Sequence, residues 1–89
     1  METKIKILYF ASIKEIIGIK EEILSLDKTE KISIRDLRQA VVSKYPDTQE
    51  LILSCMFAID GEYIFDHAEV LDYNFNEVEV AIIPPISGG

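Results

Sequence analysis

Eighty-nine residues, 48% of them hydrophobic, make one domain with a modest core, too small for two and too apolar for intrinsic disorder. Sixteen acidic against nine basic residues leave a formal net charge of −7, which disfavours nucleic acid and anionic membrane surfaces and favours partners with basic docking surfaces. Cys55 is the single cysteine, so an intrachain disulfide framework is excluded and a reducing compartment is indicated.

No apolar run approaches the roughly 20 residues of a membrane span. Met1-Glu2-Thr3-Lys4 leads into the first alternating stretch without a signal-peptide core. A soluble, cytoplasmic domain is therefore expected.

Lys4 to Phe10 reads as a first strand, with Ile5, Ile7 and Tyr9 on one face and Lys4, Lys6, Leu8 and Phe10 on the other. Ser12 to Gly18 predicts a short helical turn, capped by Ser12 and stopped by Gly18. Glu22 to Leu26 reads as a second strand, antiparallel to the first. Ser33 to Tyr45 is the one long helical pattern. Ser33 and Asp36 are spaced as a capping box, Ile34, Leu37 and Val41 form the apolar stripe, and Pro46 ends it.

Gln49 to Ser54 predicts a second short helix with Leu51, Ile52 and Leu53 half-buried. Met56 to Phe65 reads as two strands around the Asp60-Gly61 turn. The interval Asp66 to Asn76 is loop-like, with Asn74 and Asn76 as candidates for positive φ. Glu77 to Ile83 is the last strand, with Val78, Val80 and Ile82 facing opposite to Glu79, Ala81 and Ile83.

One apolar-striped helix covers one face of a sheet. The other face then collects Leu8, Phe10 and Ile83, with Tyr63 nearby, as an exposed apolar patch of the kind that marks a protein interface. After the last strand come Pro84-Pro85-Ile86-Ser87-Gly88-Gly89. Proline stiffens the exit and glycine leaves the end bare, which suits a segment inserted into a narrow site.

Leu8-Tyr9-Phe10-Ala11 followed by Glu15-Ile16-Ile17-Gly18, together with Ala81-Ile82-Ile83-Pro84-Pro85-Ile86-Ser87-Gly88-Gly89, resembles the family of molybdopterin synthase small subunits, nearest its eukaryotic-type wording. The resemblance spans nearly the whole chain. It departs at Glu77-Val78-Glu79, where the family commonly has Gly-Asp-Glu.

The resemblance implies an α+β, ubiquitin-like β-grasp with a mixed sheet on one main helix at about residues 34–45. Residues 1–83 would form the domain and 84–89 a flexible tail. It implies a sulfur carrier, not a catalyst on its own. A ubiquitin-activating-type adenylyltransferase/sulfurtransferase would use ATP to adenylate the Gly89 carboxylate, and a sulfur donor would convert it to a covalent thiocarboxylate. No tightly bound cofactor is implied.

The tail Pro84, Pro85, Ile86, Ser87 and Gly88 would enter the synthase large subunit, in a heterotetramer of two small and two large subunits. There the sulfur would pass to cyclic pyranopterin monophosphate, building the molybdopterin dithiolene from two charged tails. Leu8, Phe10, Tyr63 and Ile83 would form the docking surface. The same resemblance leaves two alternatives: a ubiquitin-like protein modifier, or a sulfur carrier for thiazole or tRNA thiolation.

Three other features invite functional readings. A lone Cys55 beside an apolar strand is expected to be a small buried hydrophobe rather than a sulfur relay. His67 is expected to be a surface loop residue, and no metal site is expected. Glu77 and Glu79 share one exposed strand face, where solvated charge is the expectation.

Overall fold

The computed structural model describes residues 2–85. Strand β1, Thr3–Tyr9, alternates strictly, with Thr3, Ile5, Ile7 and Tyr9 buried and the intervening residues more exposed. It passes directly into helix α1, Ala11–Ile17. The expected Ser12 cap is not used: extended Phe10 occupies the N-cap position without a side-chain hydrogen bond. The chain turns instead through Ala11, at φ 49°, so backbone geometry rather than a hydroxyl starts the helix. Gly18 ends it as expected, left-handed at φ 91° with its N–H donating to the Lys14 carbonyl.

Strand β2, Glu21–Leu26, pairs antiparallel with β1, placing Ile5 opposite Leu24 and Ile7 opposite Glu22. Helix α2, Ile34–Lys44, begins with the full capping box: Ser33 Oγ accepts from the Asp36 N–H, and Asp36 Oδ2 accepts from the Ser33 N–H at 2.8 Å. Such a cap stabilises a helix by about 1 kcal/mol. Its stripe of Ile34, Leu37 and Val41 is buried.

Two 3-10 turns follow, Pro46–Thr48 and Leu51–Ser54, in place of one short helix. Proline starts the first, and the Thr48 hydroxyl donates back to the Tyr45 carbonyl at 2.7 Å. The three apolar residues of the second do not share burial equally. Ile52 is buried, Leu51 is half-buried, and Leu53 is 65% exposed.

Strands β3, Met56–Ile59, and β4, Glu62–Ile64, form the expected hairpin. Asp60 and Gly61 both have positive φ, 49° and 87°, as a type I′ turn requires. The interval that follows has no regular element, but Phe75 is buried in the core and the Leu71 N–H donates to the Ile32 carbonyl.

Neither Asn74 nor Asn76 adopts positive φ. They act through their side-chain oxygens: Asn74 Oδ1 accepts from the Asn76 N–H, and Asn76 Oδ1 accepts from the Lys4 N–H. Asparagine serves turns by either route.

Strand β5, Glu79–Ile83, lies between β1 and β3, parallel to the first and antiparallel to the second. The sheet order is β2-β1-β5-β3-β4. One mixed sheet holding one main helix is the ubiquitin-like β-grasp arrangement. Ile5, Ile7, Tyr9, Val80 and Ile82 face Ile34, Leu37 and Val41 in a single core, and among the described residues no helix covers the opposite sheet face.

Candidate functional site

Register assembles the uncovered face row by row. Leu8 lies beside Ala81, Ala81 beside Ala58, and Ala58 beside Tyr63. In the next row Ile83 lies beside Met56. Phe10, one residue past β1, donates its N–H to the Ile82 carbonyl and so stays against β5. Phe65, one residue past β4, sets its ring 6.4 Å from that of Tyr63.

The structure therefore brings Leu8, Phe10, Tyr63 and Ile83 to one face. It adds Met56 and Phe65, which reading the sequence did not single out. Phe65 is 80% exposed, Tyr63 47% and Phe10 45%, whereas Ala58, between Ala81 and Tyr63, is only 4% exposed. Met56 and Phe65 have the strand parity that would have placed them there. Their proximity to Ile83 depends on the pairing of β3 with β5, which local alternation does not specify.

Charge borders the patch. Lys6 Nζ bridges Glu21 at 3.2 Å and Glu79 at 3.1 Å, and donating a hydrogen bond to Glu79, then to Glu21, raises the lysine pKa. Beyond Ile83, Pro84 is buried and Pro85 exposed. The chain thus leaves the sheet where Phe10, Ile83 and Met56 converge. Ile86, Ser87, Gly88 and Gly89 lie outside the described residues.

The other sequence candidates separate clearly. Cys55 is buried, its Sγ donates to the Leu51 carbonyl at 3.4 Å, and burial pushes the thiol up to about 11. It is protonated and unreactive at neutral pH. His67 lies in the loop after β4, as expected, but is tucked against its neighbours. It is half-buried, its ring meets Phe57 edge-on at 5.5 Å, and its Nδ1 lies 2.9 Å from Arg38 Nη1. Burial first, and then the Arg38 charge, lower its pKa.

Among the described residues no group of three or more His, Cys, Asp or Glu side chains could hold a metal ion. Glu77 and Glu79 are both exposed, and Glu79 is committed to Lys6. No described helix is long and apolar enough to cross a membrane.

The ThiS family model matches residues 7–89. The chain belongs to the ThiS family.

Among curated relatives of this ThiS-family chain, the molybdopterin synthase sulfur carrier subunit of Chlamydomonas reinhardtii is 34% identical over 97% of this chain and 99% of the relative. That of Dictyostelium discoideum is 35% identical over all of both chains. Among solved structures, a molybdopterin converting factor subunit 1 from Pyrococcus furiosus superposes with a TM-score of 0.73 at 23% identity, covering 94% of this chain and 99% of that one. Subunits 1 and 2 of the Helicobacter pylori molybdopterin-converting factor form a complex whose matching chain has a TM-score of 0.58 at 19% identity, with both chains covered fully. These two solved structures establish a shared fold. The curated relatives, all along this chain, are sulfur carrier subunits of molybdopterin synthase.

Proposed function

We propose that this protein is the sulfur-carrier small subunit of a molybdopterin synthase. The observation that carries this reading is full-length similarity to curated sulfur carrier subunits, running through Gly89. The geometry supports it. A central strand delivers Pro84 and Pro85 from the edge of an exposed apolar face, so docking through that face would aim the tail at a partner's interior.

A free carboxylate resists attack because its charge and resonance deactivate the carbonyl. Adenylation of Gly89 by an activating enzyme, with loss of pyrophosphate from ATP, supplies AMP as a leaving group and divides one hard step into easier ones. A sulfur donor then displaces AMP and leaves the thiocarboxylate. Absence of side chains at Gly88 and Gly89 lets nucleotide, sulfur donor and pterin approach the same carbonyl. Pro84 and Pro85 lower the ordering cost of an extended tail.

The described residues contribute no nucleophile–base pair to this chemistry. The carrier's part is to present sulfur, and the partners do the catalysis. The large subunit would receive the tail, two carriers to two large subunits, and transfer the sulfur to cyclic pyranopterin monophosphate.

Incubation with the activating enzyme, ATP and a sulfur source should raise the intact mass by the difference between sulfur and oxygen. Adding the large subunit and cyclic pyranopterin monophosphate should then yield molybdopterin, and deletion of Gly89 should abolish it. A terminus that stays a free carboxylate, or lysine-linked conjugates in place of molybdopterin, would overturn the reading.

A further inference from the structure

Every ion pair among the described residues is made by a lysine: Lys6 with Glu21 and Glu79, Lys28 with Asp36, and Lys44 with Glu22. The chain's two arginines, Arg35 and Arg38, make none among the described residues, although acidic residues outnumber basic ones sixteen to nine. Arg38 instead points one guanidinium nitrogen at the uncharged His67 ring, which leaves its charge unneutralised. Asp66, the neighbouring loop acid, accepts from the Ala68 N–H at 3.0 Å and forms no ion pair with Arg38 among the described residues. A guanidinium has five donors in a planar fork matched to carboxylates, so most of this capacity is free.

Beside Arg38 runs a groove of about 290 Å³ between α2 and the turn Leu51–Ser54, lined by Gln39, Val42, Gln49, Ile52 and Leu53. Arg35, Arg38 and Val42 follow one another at spacings of three and four along a single flank of α2. Leu53 presents an apolar side chain on the opposite wall, 65% exposed. Because α2 packs on the inner sheet face through Ile34, Leu37 and Val41, this groove lies on the far side of the molecule from Leu8, Phe10 and Ile83.

We propose that this groove docks a short acidic–apolar segment of a partner protein, one apolar side chain seated between Val42 and Leu53 and flanking carboxylates held by Arg35 and Arg38. Charge complementarity selects the occupant. Arg38 on the groove wall, Arg35 one turn before it and a lining without acidic residues make this a locally basic, apolar site that suits a carboxylate-bearing peptide on a chain whose net charge is −7. The inference is independent of the sulfur-carrier reading. If both hold, the carrier can be gripped from behind by one partner while its apolar sheet face and tail engage another.

The probe is a short peptide of alternating aspartate and leucine, titrated into the isotopically labelled full chain and followed by amide chemical shifts. Shifts should concentrate at Arg35, Arg38, Val42 and Leu53. The Arg35→Glu/Arg38→Glu variant, with an otherwise unchanged amide spectrum, should bind about tenfold more weakly, and Leu53→Ser should also weaken binding. High salt should weaken the wild type and not the double variant. No shifts, shifts confined to the Phe10–Tyr63 face, equal binding of an asparagine-for-aspartate peptide, or indifference to charge reversal would each overturn the proposal.

Discussion

The Tyr9 hydroxyl donates to Glu22 Oε2 at 2.6 Å, joining the end of β1 to β2 beneath the C-terminus of α2. The other carboxylate oxygen of Glu22 accepts from Lys44 of α2. Burial pushes the Glu22 pKa upward, but hydrogen bonds from Lys44, Tyr9 and Tyr45 outweigh it and hold the carboxyl below its ordinary value. One carboxylate thereby ties two strands and the main helix together at the end of the sheet from which the tail departs. Tyr9→Phe removes one charge-assisted bond while keeping the ring packed edge-on against Tyr45. It should lower stability by about 1–2 kcal/mol, read as a reduced urea midpoint with an unchanged slope.

His67 predicts a pH dependence. Its folded-state pKa lies below the ordinary histidine value of about 6.5, because burial and the Arg38 charge disfavour the imidazolium, with Asp66 opposing. The unfolded chain therefore binds the proton more readily, and stability rises with pH up to about 6.5 and falls as the pH drops below it. His67→Asn should flatten this segment of the stability profile. Denaturation midpoints collected between pH 5 and 7.5 measure it, and an identical slope in both proteins would contradict the assignment.

The Asp60-Gly61 turn predicts a ranking. A Cβ added at Gly61 meets nothing within 4 Å, so only backbone strain at φ 87° opposes substitution. Gly61→Ala should cost about 1–2 kcal/mol, and Gly61→Asn distinctly less, because asparagine tolerates the left-handed region. Thermal midpoints of the two variants give the comparison.

The uncovered face predicts that binding and folding separate. Phe10 and Phe65 are exposed and lie outside the core cluster, so Phe10→Asp and Phe65→Ser should change folding stability by no more than about 0.5 kcal/mol. Under the proposed function, Phe10→Asp should weaken the complex with the large subunit by about 2 kcal/mol or more, as truncation at the centre of an interface does. Calorimetric titration against the large subunit, alongside thermal melts, tests both halves.

Local chemistry was readable wherever neighbouring residues decide the outcome. Ser33 and Asp36 specify a helix start, Gly18 a helix end, and Asp60-Gly61 a hairpin, because the groups involved lie within four residues of each other. The alternation of Ile5, Ile7 and Tyr9 against Leu8 and Phe10 likewise assigned both sheet faces.

Where distant segments decide, the sequence was a poorer guide. Ser12 has good capping chemistry, yet β1 runs straight into α1 through Ala11 and the hydroxyl is passed over. His67 reads as a loop residue until the loop folds back onto Phe57 and Arg38. Met56 and Phe65 join Phe10 and Ile83 only through the register of β3 on β5, set by tertiary packing.

The position of β5 also has a mechanical consequence. Under the proposed function, a pull on the residues beyond Ile83 would load β5 along its own axis. This strand is flanked on both sides, by parallel β1 and antiparallel β3, so the load meets two hydrogen-bond ladders in shear. Ladders loaded this way must yield together, whereas those of an edge hairpin can unzip one bond at a time. Under the proposed function, the carrier would therefore leave its partner with the domain behind Pro84 and Pro85 still folded.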